Sequence, residues 1–257
     1  MEMKSDDFYG KYDLLRTELK NTGVVTEMSA SMGQVTGLWS NNNGFSWKGM
    51  PQDMATDKKQ NFGTLAVTRE YGRTVGWQFV QGRDFSRKFV TDSAGVVINE
   101  AAANYIGWKN PVGESLRWKF WSTDEIMDYT VLGVIKDMVM ESPYEPVKPT
   151  FFFLKSLNGR VNWINIKIAP TISAAYALPK IEKVFKRIIP SAPFDYKFVD
   201  EEYARKFATE ELISKLVTFF GILAIFISCL GCWVHRYSMS GSYYQKSLLG
   251  WSLFPVE

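Results

Sequence analysis

The sequence predicts an α+β domain followed by a stalk helix and one transmembrane helix, and three observations predict it. Short runs of β type, at residues 24–28, 62–67 and 163–168, are interleaved with amphipathic helical runs at 10–20 and 179–189. Residues 216–234 read LVTFFGILAIFISCLGCWV without a charge, between Lys215 and the pair His235-Arg236. A hydrocarbon core of about 30 Å takes roughly 20 apolar residues in a helix, whereas a buried core helix is usually shorter and keeps a polar stripe. The remainder, in a chain of 257 residues with 46% apolar and 22% charged residues, has the composition of a protein able to bury a core.

The elements follow in order. Tyr12, Leu15 and Leu19 share one face of the helix at 10–20, and Gly23 stops it. A strand is expected at 24–28. Residues 30–60, rich in Ser, Asn, Gly and Met, read as a long surface loop or hairpin with a short strand at 45–47. A strand at 62–67 comes next, and a second unit begins near Trp77. Gly95, Val96, Val97 and Ile98 form a strand that runs into Asn99, an N-cap residue, and the helix it opens closes at Gly107. Residues 110–113 make a turn, and 129–135 are apolar on both faces, the mark of an interior strand. Pro143, Pro146 and Pro149 enforce an extended connection. Strands at 151–154 and 163–168 follow, the second with Ile164, Ile166 and Ile168 alternating with Trp163, Asn165 and Lys167. Pro179 opens a short helix to residue 189 with Ile181, Val184, Phe185 and Ile188 in one stripe. Residues 194–199 are expected as a last strand. From the cap Asp200 a helix runs without a breaker into the apolar span, about 50 Å to Val234 at 1.5 Å per residue.

Composition narrows the chemistry. The start MEMKSDDFYG is polar and acidic and has no apolar stretch of a secretory signal. Both cysteines, Cys229 and Cys232, fall inside the apolar run, where their C-x-x-C spacing reads as two small packing residues rather than a redox or zinc pair. The single histidine, His235, stands at the end of that run, so histidine metal clusters and Ser-His-Asp or Cys-His mechanisms find no material in the preceding domain. The net charge of +3 is dispersed, with no basic block longer than Arg87-Lys88 or Lys58-Lys59, which argues against nucleic acid as a partner. No phosphate-binding G-x-x-x-x-G-K-[ST] loop occurs, and the glycines between Gly72 and Gly82 lack the order of a dinucleotide turn. Catalytic, cofactor-binding and metal residues are therefore assigned as none, cofactors as none, and the chain as not an enzyme. Acid–base chemistry would rest on Asp92, Glu100 and Asp137, with no convergent partner in view. Trp39, Trp47, Trp118 and Trp121 read as core or subdomain contacts, with a hydrophobic ligand surface as the alternative.

Five segments then carry a resemblance: Gly82-Arg83-Asp84-Phe85; Asp92-Ser93; Val97-Ile98-Asn99-Glu100-Ala101-Ala102; Asn110-Pro111-Val112-Gly113; and Val131-Leu132-Gly133-Val134-Ile135-Lys136-Asp137. In this order and spacing they resemble the periplasmic core of MacB-like, FtsX-like ABC transporter permeases, in the version common among Bacteroidetes-type bacteria. The resemblance runs from about Phe8 through the apolar span. It implies a two-lobed periplasmic domain: a base of mixed sheet with helices on one face, residues 1–75 and 150–200, and an inserted middle lobe, 76–149. A stalk helix at 200–215 and the transmembrane helix at 216–234 follow. It also implies a bacterial inner membrane location with residues 1–215 periplasmic, a cytoplasmic ABC ATPase subunit and a second permease copy as partners, and contact with membrane lipid. The strand near Val25 is then expected to share a sheet with 163–168 or 194–199, since both ends of the domain meet the same membrane. Relative to that pattern a first membrane helix is missing, and residues 235–257 replace the family's cytoplasmic coupling segment with an atypical tail, as a truncated or frameshifted gene or real divergence would produce.

Three classes of function stand on this reading. A permease subunit coupling cytoplasmic ATP hydrolysis to periplasmic movement is favoured by the resemblance and by the stalk-and-span layout. A single-pass sensor or partner-binding domain shares that layout, and a membrane-anchored enzyme has the least support. The stalk itself reads equally as a transmitter of movement or as a tether.

Overall fold

The computed structural model describes residues 6–37, 40–52, 54, 60–120, 125–140, 145–154 and 162–250. The chain forms two units, Met1–Tyr203 and Ala204–Glu257. A 3-10 turn, Asp6–Lys11, leads into α1 (Tyr12–Asn21), whose residues Tyr12, Leu15 and Leu19 are buried in the spacing that the sequence shows. Gly23, at φ 73°, turns the chain out of the helix into β1 (Val25–Ser31), a strand exposed only at Thr26 among these seven residues.

Nine further strands complete one mixed sheet: β2 (Ser40–Asn42), β3 (Phe45–Trp47), β4 (Phe62–Val67), β5 (Phe79–Gly82), β6 (Gly95–Asn99), β7 (Ser115–Lys119), β8 (Ile126–Ile135), β9 (Thr150–Leu154) and β10 (Trp163–Ile168). The order across the sheet is β10-β1-β4-β9-β6-β8-β7-β3, with β2 also on β4 and β5 also on β8. β4 and β9 run parallel, as do β6 and β8, while the other pairs are antiparallel. Everything between β4 and β9 in sequence is thus enclosed by two strands that lie side by side. Further helices among the described residues are α2 (Tyr71–Val75), α3 (Glu100–Ile106), α4 (Ala174–Ile188) and α5 (Val199–Gly250), with a 3-10 helix at Val90–Ala94.

Three apolar clusters hold the first unit. α1 and α4 lay Leu15, Leu19, Ile181 and Phe185 against Met28, Ala30 and Ile164 of β1 and β10. A second cluster is aromatic: Phe151 sits 4.6 Å from Phe62 and 4.8 Å from Phe45 by ring centroids, and Trp118 lies 5.0 Å from Phe153. The third places Leu65, Val67, Tyr71, Val97 and Ile135 around Phe152. Because side chains alternate along a strand, Phe151 and Phe153 enter one cluster and Phe152 the other. The run of three phenylalanines therefore makes β9 a central strand, and burying rings of this size contributes about 1.5–3 kcal/mol each.

The expected strand near Val25 does share a sheet with Trp163–Ile168, pairing Met28 with Ile166 and Ala30 with Ile164. Strands 62–67 and 163–168 fall on the expected residues, and the expected strands at 129–135 and 151–154 lie within β8 and β9. Asn99 caps α3 through Ala102 N–H, and Gly107 closes it at φ 84°. Three readings are corrected. Residues 194–198 are not a strand: no neighbouring strand takes up their backbone, and Phe194, Tyr196 and Phe198 instead follow one another ring to ring at 5.6 and 5.5 Å, with α5 beginning at Val199. The helix expected from Pro179 starts earlier, at Ala174, so Pro179 lies inside it; the run Ala174-Ala175 and the burial of Ala177 outweigh the lost backbone hydrogen bond. The loop at 30–60 also holds β2, whose Ser40, Asn41 and Asn42 pair with Thr64, Gly63 and Phe62. Pro143, Trp39, Trp121 and Lys58-Lys59 lie outside the described residues.

Asn99 does more than cap. Its Oδ1 accepts from Ala102 N–H at 3.0 Å and Thr150 N–H at 2.8 Å, and its Nδ2 donates to the Lys148 carbonyl at 2.9 Å, so one buried side chain ties α3 to the start of β9. Asn99→Ala leaves a cap and a buried Thr150 N–H unmet and is expected to destabilise the domain by about 2–3 kcal/mol. Denaturant titration of the full chain in detergent, followed by tryptophan fluorescence, measures it.

Candidate functional site

Among the described residues no group of His, Cys, Asp or Glu side chains has the arrangement to hold a metal ion. The chemically distinctive features are a buried ionic cluster, a charged clamp and one apolar helix.

The cluster centres on Glu70, which the turn after β4 carries inward to 1% exposure. Its Oε2 accepts from the Tyr12 hydroxyl at 3.0 Å and its Oε1 from Arg87 Nε at 2.9 Å. The Tyr12 oxygen lies 3.0 Å from Thr68 Oγ1, which accepts from Ala30 N–H at 3.0 Å. With Tyr12 donating to Glu70 and Ala30 to Thr68, the donors run one way: Ala30 to Thr68, Thr68 to Tyr12, Tyr12 to Glu70. Burial, and then the nearby Glu70 charge, push the Tyr12 hydroxyl far above the usual tyrosine range. Arg87 reaches on to Asp13 at 2.7 Å, an exposed pair that adds little. A satellite pair joins α1 to β1: Arg16 Nε and Nη2 donate to Glu27 at 2.8 and 3.0 Å. Burial alone would raise the Glu27 carboxyl, but the Met28 N–H and Arg16 hold it below the usual range.

The clamp is Arg83 with Asp92. Both guanidinium nitrogens of Arg83 donate to Asp92, at 2.8 and 2.7 Å, and Ser86 N–H adds a third bond. Asp92 is fully buried, and the Arg83 hydrogen bonds hold its carboxyl low against the opposing effect of burial. Gly82, at φ 72°, lets this loop leave β5: a Cβ there would stand 2.2 Å from the Leu132 carbonyl oxygen. Asp84 lies beside it, its Oδ1 accepting from Phe85 N–H at 2.8 Å. Burial pushes the Asp84 carboxyl up to about 6, with the Phe85 N–H and Arg73 pulling the other way.

The three carboxylates considered for acid–base chemistry do not converge. Asp92 is held in the clamp, Glu100 accepts from Asp137 N–H at 3.3 Å, and Asp137 accepts from Ala101 N–H at 2.9 Å. Trp47 is buried in the aromatic cluster and Trp118 packs against it, the core role expected for both. From the sequence Tyr12 is a residue of the apolar helix face and Arg87 half of a short basic pair, Glu70 has no assigned role, and their meeting is not foreseen. The one sequence signal was a charged pair, Arg69-Glu70, just past the apolar run 62–67, and charges there usually mark solvent.

In the second unit every residue from Leu216 to Trp233 is exposed, including Phe219, Ile222 and Ile225 at 62–65%. Among the described residues one helix is long and apolar enough to cross a membrane, the segment Val199–Trp233, which holds an 18-residue stretch of mean hydropathy 2.3. A soluble surface does not carry an apolar patch of that extent. Cys229 and Cys232 are exposed free thiols on it; residues 251–257 of the expected tail lie outside the described residues.

Residues 11–184 match the family model of the MacB-like periplasmic core domain. No curated protein matches the chain. Three solved structures resemble it: the periplasmic region of MacB from Actinobacillus actinomycetemcomitans (14% identity, TM-score 0.47, 73% of this chain and 81% of that one); a domain of a putative permease protein from Porphyromonas gingivalis (15%, 0.46, 67% and 68%); and the extracellular domain of the noncanonic ABC-type transporter YknZ from Gram-positive bacteria (12%, 0.47, 74% and 91%).

Two predictions follow from the charges. Arg87→Ala leaves the buried Glu70 carboxylate without its cation and is expected to cost about 3 kcal/mol, against about 1–2 kcal/mol for Tyr12→Phe; a thermal melt ranks the two. The second concerns pH. A carboxyl whose folded pKa is about 6, against about 3.8 unfolded, binds in the folded state a proton that the unfolded state has released. Its contribution to stability is therefore present at low pH and is lost as pH rises from about 4 to about 6. Asp92 and Glu27 shift the other way: their contribution is complete above their unfolded values of 3.8 and 4.5 and is lost as pH falls below them, so it acts at the foot of that window and beneath it. Asp84→Asn should thus flatten the fall in denaturation midpoint between about pH 4 and about pH 7, and a slope equal to the parent's contradicts the assignment.

Proposed function

We propose a mechanical function for this chain, which belongs to the MacB-like periplasmic core domain family. The family is the periplasmic domain of ABC transporter permeases, a transport component and not a classical enzyme. In our reading the chain couples ATP hydrolysis by a cytoplasmic ABC ATPase to movement outside the membrane. It does so in the inner membrane of a bacterium, with residues 1–215 periplasmic, beside a second copy of the permease and in contact with lipid. The observation that carries this reading is α5 itself, which follows the matched residues 11–184 after a short non-helical segment and has neither a proline nor an internal break from Val199 to Gly250. Such a helix passes displacement along its axis, where a flexible linker would absorb it.

The division into a base at 1–75 and 150–200 and a middle lobe at 76–149 belongs to the same proposal. It is supported by the side-by-side pairing of β4 and β9 around the intervening chain, and by the apolar cluster of α1, α4, β1 and β10, which draws only on residues of the base. Residues 200–215 act as the stalk in this scheme, and 216–234 as the span.

Ala208 is an exposed residue of α5. Ala208→Pro removes one backbone hydrogen bond and costs about 3 kcal/mol locally, without touching the folded sheet. In the intact transporter it is expected to leave ATP hydrolysis running while transport falls; a variant that transports like the parent would show that the helix is only a tether. Thiol labelling of Ser93→Cys and Ser240→Cys from outside, in a cysteine-free background, tests the orientation: Ser93→Cys should react and Ser240→Cys should not.

A further inference from the structure

β10 borders a groove of about 410 Å³, within the roughly 300–1,000 Å³ usual for ligand pockets. Side chains alternate between the two faces of a strand, and in β10 this alternation separates apolar from polar. Ile164, Ile166 and Ile168 turn to the side of α4, where they share a cluster with Ile181 and Phe194. Asn165 and Lys167 turn to the other side: Asn165 Nδ2 donates to Ser31 Oγ at 2.8 Å, and Lys167 Nζ to the Arg73 carbonyl of α2 at 3.3 Å. All five residues line the groove, with Leu178 of α4 on the apolar side and Thr74 of α2 on the polar side. Phe194, Tyr196 and Phe198 add a further, largely aromatic wall. The charged lining is Lys167 and Lys197, and no carboxylate lines the groove among the described residues. Lys197 Nζ stands 3.8 Å from Glu202, a loose pair that leaves the lysine side chain 48% exposed.

We propose that this groove binds a free anionic amphiphile with a single acyl chain, of the fatty-acid carboxylate type. Its chain lies along the three isoleucines and the aromatic wall, where removal from water favours it. Its carboxylate meets Lys167 and Lys197, and such charge-assisted contacts are the strong class of hydrogen bond. Shape points the same way. At a rise of about 3.3 Å per residue, Ile164 and Ile168 stand about 13 Å apart, an elongated site that a chain fills better than a compact ring system. At the roughly 30 Å³ that a water takes in the liquid, the groove has room for about fourteen groups of that size, which is one chain with its head and not the two chains of a bilayer phospholipid. A cationic amphiphile of equal length satisfies the apolar walls but is repelled by both lysines.

The test uses the full chain in lipid nanodiscs and a dodecanoate that carries a photoreactive diazirine on its chain, with crosslinks mapped by peptide mass spectrometry. Labelling of residues 216–233 reports probe dissolved in the bilayer and is the reference in every arm. Saturable labelling is expected at residues 164–168, 178–181 and 194–198, competed by plain dodecanoate and not by dodecyltrimethylammonium. Lys167→Gln together with Lys197→Gln is expected to raise the half-saturating concentration at the groove about tenfold or more, with the reference unchanged, while Lys167→Arg together with Lys197→Arg keeps the parent value. Both lysines are exposed, so these variants keep the fold. Labelling confined to the reference segment overturns the proposal, as does a glutamine variant that labels like the parent or equal competition by the cationic amphiphile. Stronger labelling of the groove by a diazirine-bearing phosphatidylglycerol built into the disc also overturns it, since the groove is then a contact for bilayer lipid.

Discussion

The first unit depends on a carboxylate that has no contact with solvent to speak of. A buried, unpaired charge costs several kcal/mol, so Glu70 is tolerable only while its partners stay in place. Those partners come from separate parts of the chain: Tyr12 from α1, and Arg87 from the loop after β5, with Thr68 linking Tyr12 to Ala30 of β1. The cluster therefore fixes α1 and the Arg87 loop relative to the end of β4, which apolar packing alone, being non-directional, does less sharply. The one-way run of donors leaves each oxygen with a defined role, so replacing any member disturbs the next.

A second constraint acts where β5 approaches β8. Gly82 and Gly133 allow backbone contact that a side chain would block; a Cβ on Gly133 would meet the Arg83 carbonyl oxygen at 2.6 Å. The chain leaves this contact as Arg83, whose bidentate pair with the fully buried Asp92 folds the loop back on itself. The resemblance motifs at residues 82–85 and 92–93 thus have a physical content: a close approach, followed by the two ends of one clamp. The motif at 97–102 holds the strand β6, the three-way cap Asn99 and the start of α3, and 131–137 supplies the interior strand β8.

The apolar helix has a different basis. Among the described residues of the second unit nothing buries Leu216 to Trp233, and the sidedness of an ordinary surface helix is absent from this stretch, a composition that suits hydrocarbon better than water. Before it the helix is wet, with Glu211 and Lys215 paired at 2.8 Å one turn apart. One continuous helix thus joins a segment suited to water to one suited to hydrocarbon.

What the sequence determined by itself is what depends on local order: the alternation of β10, the caps Asn99 and Gly107, the stripe of Tyr12, Leu15 and Leu19, the apolar span, and the family motifs. These follow from backbone periodicity and side-chain chemistry within a few residues. The tertiary structure decided the rest. Residues 194–198 have the alternation of a strand but not the fold of one, because a strand exists only through a neighbour's backbone, and none pairs with them. β5 and β7 escaped notice for the converse reason: both largely exposed, and β7 charged as well, they are strands because β8 pairs with them. The environments of Glu70, Arg87 and Asp84 belong to the same class, because whether a charged group meets water, a counter-charge or an apolar wall is set by residues distant in the chain, as Tyr12 and Arg87 are from Glu70.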